Sequence, residues 1–247
     1  MSEQYNLIAD QYDISFQLAP FRLYVEAYSA FQLLGDLTGK SVLDIATGTG
    51  FYARELRRRG ATRVVGVDIA EQMVQIAQGA EQQEPLGITY YIQDITQFKA
   101  DEPFDIALAV YLLHYAPTRE ALVAMCKSIS ANLKSGGRFV TYILNPDSDR
   151  TPGYYTEYGL NIHFGDTPSD GEPAPFSVSL GGMTMPEVMA YRWDKTTVDS
   201  ALTGAGFTNI RWVQPTLSKA GIEQQGLDYY KVYMTHPHAV LIDCTKA

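Results

Sequence analysis

Residues 42–50 read Val42-Leu43-Asp44-Ile45-Ala46-Thr47-Gly48-Thr49-Gly50. An apolar, β-branched run over 41–45 predicts a strand, the glycine-rich turn follows, and 51–59 has helical spacing. Glycines in such a turn let the backbone come close to a ligand, and the first turn of the following helix offers free N–H groups. The spacing Gly48-x-Gly50-x-x-Ala53 also satisfies the dinucleotide pattern G-x-G-x-x-G/A.

Working outward, 63–67 predicts a second strand and 70–78 a helix, with Met73, Ile76 and Ala77 spaced to face a core. Strands are predicted at 88–92, 104–110 and 138–144, and a helix at 120–133 that Ser135-Gly136-Gly137 brings to an end. Strands alternating with helices imply βαβ units, a parallel sheet, and right-handed crossovers that put helices on both faces. Beyond this core, 194–205 predicts a helix closed by Gly206, and 207–213 and 239–245 predict two strands. The connection between them, 214–238, is too long for a hairpin turn, and a last antiparallel strand on a parallel sheet is a permitted arrangement. The expected fold is therefore α/β: a doubly wound, mostly parallel seven-stranded sheet with an antiparallel C-terminal strand.

Two segments lie outside the sheet pattern. Residues 145–192 hold six prolines and six glycines together with Tyr154, Tyr155, Tyr158, His163 and Tyr191. A long irregular insert rich in aromatics is read as an ordered lid. Residues 1–34 carry a helical pattern (Phe21, Tyr24, Val25, Tyr28, Phe31) and are read as a second part of the cover. The division expected is one domain over 1–247: an N-terminal helical cover (1–34), a ligand-binding core (40–144), a lid (145–192) and a C-terminal helix with strands (193–247).

Composition limits the function. The chain of 247 residues has a formal net charge of -9, which disfavours a phosphate backbone as partner. Arg57-Arg58-Arg59 before Gly60 reads as a helix C-terminus, where cations suit the dipole and glycine the cap. No run approaches the roughly 20 apolar residues of a membrane span, and the start of the chain lacks the pattern of a secretory signal. Two isolated cysteines, Cys126 and Cys244, argue against a disulfide framework or zinc site and point to a cytoplasmic setting. No metal is expected, and the sequence carries no signal for an oligomeric state.

Two acids refine the ligand. Asp68 ends the second strand, 18 residues after Gly50, where a carboxylate accepts the hydroxyls of a ribose. NAD and S-adenosylmethionine (SAM) both carry that ribose, and Asp68 also suits the cap of the following helix. Asp44, four residues before Gly48, sits where the dinucleotide pattern is apolar. A buried acid beside the turn suits a ligand with a positive group, or bonds the turn itself.

The motif D-x-A-T-G-T-G (Asp44 to Gly50), followed by V-V-G-V-D (Val64 to Asp68) and Met73, resembles the SAM-binding core of class I methyltransferases. Its spelling is similar to that of the quinone-pathway enzymes. The resemblance continues through Tyr91-Ile92-Gln93-Asp94-Ile95, Phe104-Asp105-Ile106, Leu113-His114-Tyr115 and Leu133-Lys134-Ser135-Gly136-Gly137, and resumes at Ala205-Gly206-Phe207. Lid and N-terminus look most like small-molecule N-methyltransferases of the glycine or toxoflavin-pathway type. The resemblance implies a Rossmann-like fold, SAM as cofactor and S-adenosylhomocysteine (SAH) as product. It implies that Ala46 and Gly48 line the methionine portion, that Asp68 holds the ribose, and that Ile69 and Met73 pack on adenine. Asp94 and the Ile95 amide would meet the adenine edge, and Val110 and Tyr111 would stand beside the sulfonium. Arg22 would pair with the cofactor carboxylate, or else lie on a solvated helix face.

For the reacting end, Tyr5 and Tyr12 lie in a segment that in related methyltransferases reaches the methyl group or the acceptor; Tyr12 would also touch the cofactor. His114 follows the fourth strand, where ligands of such sheets bind, and is a candidate base or a structural histidine. Tyr115, Tyr155, His163 and Tyr191 are further candidates for acceptor contact. His236 and His238 read as loop residues. The expected activity is methyl transfer to a nitrogen or oxygen of a small aromatic or heterocyclic molecule. The alternatives are an NAD-dependent oxidoreductase, carried by G-x-G-x-x-A, and a non-catalytic SAM-binding protein.

Overall fold

The computed structural model describes residues 5–6 and 18–247. Seven strands form the central sheet: β1 (Ser41–Ile45), β2 (Arg63–Asp68), β3 (Thr89–Ile92), β4 (Phe104–Val110), β5 (Leu133–Leu144), β6 (Phe207–Val213) and β7 (Ala239–Lys246). Their order across the sheet is β6-β7-β5-β4-β1-β2-β3. Strands β1 to β5 pair parallel, while β7 runs antiparallel to β5 and to β6. The expected mixed sheet is thus present, with its order reversing between β1 and β4. Crevices at such a reversal, beyond the carboxyl ends of the strands, are where open α/β sheets bind ligands.

Both faces of the sheet are buried. In β4, Ala107 and Ala109 pack with one core cluster and Ile106, Leu108 and Val110 with the other. In β5, Phe139 faces the first cluster and Val140 and Tyr142 the second. This two-sided burial explains why these strands read as continuous apolar runs rather than alternating ones. One face is covered by α1 (Tyr28–Leu34), α2 (Phe51–Arg58) and α3 (Glu71–Gln83), the other by α4 (Arg119–Ala131) and α5 (Lys195–Gly204). A six-residue π-helical stretch, Arg22–Ala27, leads into α1. Helix α2 starts at Gly50, which is left-handed at φ 86°, and ends with Arg57 and Arg58 in its last turn. Thr118 caps α4 by accepting from the Ala121 amide.

Several boundaries differ from the sequence reading. Helix α3 runs on to Gln83, because Arg54 reaches from α2 to Glu81 and Glu84 and ties down the extra turn. Strand β5 begins at Leu133 rather than 138, with Phe104 paired to Leu133 before a register shift. The 214–238 connection contains two helices, α6 (Lys219–Gln225) and α7 (Leu227–Thr235). Tyr230 and Tyr233 of α7 pack with Phe21 and Val25 and with Tyr155, Tyr158 and Leu160 of the lid. That aromatic cluster joins the N-terminal segment, the lid and the C-terminal part. The lid itself is ordered, with an antiparallel sheet of Leu160–Ile162, Phe176–Leu180 and Met183–Thr184 and a second pairing of Glu172–Pro173 with Tyr191–Arg192.

Among the described residues no helix is long and apolar enough to cross a membrane, and no group of three or more His, Cys, Asp or Glu side chains is placed to hold a metal ion.

Candidate active site

Two pockets adjoin at the carboxyl ends of β1, β2 and β4. The first, of about 710 Å3, is lined by Ala46 and Gly48 from the turn after β1, by Asp68, Ile69 and Met73 after β2, by Gln93, Asp94 and Ile95 after β3, and by Val110, Tyr111 and Leu112 after β4. Nine of these residues were expected at a cofactor: Ala46, Gly48, Asp68, Ile69, Met73, Asp94, Ile95, Val110 and Tyr111. Gln93 and Leu112 were not singled out, although each stands beside a residue that was.

The carboxylate of Asp68 is fixed from two sides. Its Oδ2 accepts the Gly48 amide at 2.8 Å and its Oδ1 the Ala70 amide at 2.9 Å. Asp68 therefore binds the glycine turn and the start of α3 together, and its bond to the Ala70 amide is the helix-start role expected of it. Burial raises its pKa, and the Ala70 and Gly48 amides act against that rise. Asp44 lies beneath the turn, 1% exposed and off the lining, and accepts the Thr47 hydroxyl at 2.5 Å. Burial pushes its carboxyl up to about 7; the Thr47 bond opposes this and the Asp68 charge adds to it. Asp94 accepts both the amide and the hydroxyl of Thr96 at 2.8 Å.

Two non-glycine residues are left-handed at the strand ends on this pocket, Ala46 at φ 56° and Tyr111 at φ 65°. Such backbone costs of order 1–3 kcal/mol each and tends to persist where a site requires it. Gly66 on β2 has a different reason: a Cβ there would stand 2.5 Å from Tyr90 Cδ1 and 2.8 Å from Thr47 Oγ1. Ile69, by contrast, keeps 36% of its surface exposed over the pocket.

The second pocket, of about 790 Å3, is walled by apolar groups of the lid and N-terminal segment, among them Phe21, Leu160, Ile162, Phe176, Val178 and Met185. Its polar groups include Arg22, Glu26, Tyr111, His114 and His238. Tyr5, Tyr111 and Tyr115 line both pockets, so the two meet there. The rings of Tyr5 and Tyr115 stand edge to face at 5.6 Å, and their hydroxyls are hydrogen-bonded.

His114 is buried, and its Nδ1 accepts the Leu144 amide at 3.4 Å. Burial, with the neighbouring His238, lowers its pKa to about 3. Glu26, fully buried, accepts the Tyr52 hydroxyl at 2.7 Å and the Tyr111 hydroxyl at 2.6 Å, and pairs with Arg22 at 3.6 Å. The Tyr111 oxygen is also 3.0 Å from His238 Nε2, and His238 Nδ1 is 2.9 Å from the Tyr233 hydroxyl.

Other expected site residues lie elsewhere. Arg22 lines the second pocket rather than the first, because it pairs with Glu26 one helical turn on. Tyr155 is packed into the aromatic cluster, with its hydroxyl bound to the His236 carbonyl at 2.7 Å. His163 is exposed on the lid, and Tyr191 packs against the core cluster beneath α4 and α5. None of these three lines the second pocket. Tyr12 lies outside the described residues. Glu26 and His238 were missed: one reads as a helix-face acid and the other as a loop residue, and only the fold brings them to Tyr111.

Residues 42–137 match the family described as "Methyltransferase domain". Residues 42–137 thus form a methyltransferase domain, set in a fold shared with S-adenosylmethionine-dependent methyltransferases. It is 33% identical over 110 residues to a ubiquinone biosynthesis O-methyltransferase of Coxiella burnetii (strain Dugway 5J108-111), a match covering 44% of this chain and 45% of that protein. The chain thus spans about half the length of the relatives it matches. Among solved structures, an S-adenosylmethionine-dependent methyltransferase from Mesorhizobium loti superimposes with a TM-score of 0.63 at 20% identity, covering 87% of this chain and 94% of that one. The CcbJ methyltransferase from Streptomyces caelestis superimposes at 0.66 and 17% identity, with 99% and 98% covered. Likeness at this level of identity concerns the fold.

Proposed function

We propose that this methyltransferase transfers the methyl group of SAM to a nitrogen or oxygen of a small, largely apolar acceptor, aromatic or heterocyclic in kind. The observation that carries the reading is the meeting of the two pockets at Tyr5, Tyr111 and Tyr115. The first pocket has the chemistry of a nucleoside site. A fixed carboxylate, Asp68, suits a ribose diol, the partly exposed Ile69 with Met73 suits the face of a purine, and Asp94 suits its amino edge. When bound, SAM supplies a methyl group already activated on a sulfonium, so neither a metal nor a covalent enzyme intermediate is needed.

The chain's own residues then have three tasks. The apolar lid walls exclude water, and the tyrosines at the junction hold the acceptor in line. Orientation of this kind is worth roughly 7–11 kcal/mol of a barrier. Neutral His114, its Nδ1 facing the Leu144 amide, serves as an orienting group rather than a cation. The likeness to the Coxiella O-methyltransferase supports oxygen as the methylated atom.

The test is a calorimetric titration of the purified protein with SAH, with NAD as the control. Saturable micromolar-range binding of SAH alone, about -8 kcal/mol, is expected. Binding of NAD alone would overturn the reading.

A further inference from the structure

The chain of hydrogen bonds through Tyr111 has only one consistent direction. Glu26 faces Arg22 as an ion pair, so its carboxylate only accepts. Tyr111 has one hydroxyl proton, and it goes to Glu26 Oε2 at 2.6 Å. The contact of 3.0 Å to His238 must then be a bond donated by His238 Nε2–H to the Tyr111 oxygen. Burial and the nearby Arg22 lower the pKa of His238 to about 3, so the ring is neutral and its Nδ1 is bare. Nδ1 accepts from the Tyr233 hydroxyl at 2.9 Å. The backbone holds the ring as well, since the Tyr111 amide donates to the Tyr142 carbonyl at 2.8 Å in the left-handed conformation noted above.

We infer that Tyr111 is a specificity-determining residue whose oxygen, with its proton committed to Glu26, meets a ligand only as a hydrogen-bond acceptor, so that the second pocket takes an apolar molecule presenting an O–H or N–H at its junction with the first pocket. Glu26 and His238 act through Tyr111 as positioning residues. The inference rests on the acceptor-pocket reading above and adds the chemical class of the group that is methylated. It carries a corollary: methylation of a hydroxyl removes the donor, and with it the bond that held the acceptor at Tyr111.

The test uses two probes of equal ring system, 1-naphthol, which has the donor, and 1-methoxynaphthalene, which lacks it. Each is titrated calorimetrically into wild type and Tyr111→Phe already saturated with SAH. SAH affinity, read first, reports the cofactor reading and the integrity of each variant separately from the probes. Wild type is expected to prefer 1-naphthol by about tenfold, the range of one buried hydrogen bond, and Tyr111→Phe to lose that preference while keeping its affinity for 1-methoxynaphthalene. A second variant, Glu26→Leu, removes the acceptor that holds the Tyr111 proton, so the proton can turn into the pocket, and is expected to raise affinity for the methoxy probe relative to the naphthol. Equal binding of the two probes by wild type, a preference unchanged in Tyr111→Phe, or no binding of either probe overturns the inference.

Discussion

Replacing Asp68 by alanine removes one carboxylate that performs two tasks, and the size of the loss follows from the structure. The Gly48 and Ala70 amides each bond one of its oxygens, at 2.8 and 2.9 Å, which holds the turn after β1 against the start of α3. In the reading above, the remaining lone pairs take the two ribose hydroxyls. Hydrogen bonds to a charged group contribute about 1.5–3 kcal/mol each, so two of them amount to about 3–6 kcal/mol. At 1.4 kcal/mol per tenfold, SAH affinity should fall by a factor of about 100 to 10,000. The assay is calorimetric titration of wild type and Asp68→Ala with SAH, with circular dichroism to show that the variant is folded. Asp68→Asn, which keeps one acceptor oxygen, should fall between the two. A folded Asp68→Ala that binds SAH within threefold of wild type would refute the assignment of the ribose to this residue.

Asp44 lies beneath the turn and off the pocket lining, so a cationic amino group bound over that turn acts on its carboxyl, near 7 in the free protein, only through space, and should still ionise it. A pKa that falls on binding means proton release, so SAH affinity should rise with pH up to about 7 and level off above it. Calorimetry in buffers of different ionisation enthalpy reads the released proton, and uptake instead of release would contradict the placement. His114 and His238, both held at about 3, should show ring resonances that stay put between pH 5 and 8, and a shift of either near 6.5 would mean that its surroundings are wetter than described. Gly66→Ala forces a Cβ against Tyr90 and Thr47 and should cost about 1–3 kcal/mol in a denaturant titration. An unchanged midpoint would show that Tyr90 can give way.

The sheet was legible because its signals are local. Buried strands such as Phe104–Val110 read as apolar runs, and Gly48, Gly50 and Asp68 mark the turns between them. The cofactor pocket follows from the same signals, since its lining comes from the residues just past four consecutive strands. The acceptor side was not legible in this way. Glu26 sits on a helix whose pattern suits a solvated acid, yet it is buried because Tyr52, Tyr111 and Arg22 converge on it from positions up to 85 residues away. His238 precedes the last strand and gains its role only when β7 pairs with β5 and brings it beside Tyr111. Tyr155 shows the reverse error: lid aromatics suggest a substrate contact, but this one is consumed by the core that fastens the lid to α7.

The wall shared by the two pockets at Tyr5, Tyr111 and Tyr115 has a kinetic consequence. Ligands that touch the same side chains influence each other's affinity, and by linkage the factor is equal in both directions. Whatever SAH gains from a filled neighbour, that neighbour gains from SAH. Steady-state product inhibition should therefore show an interaction between the two product sites, and the slope and intercept patterns of dual-inhibitor plots give the size of that coupling.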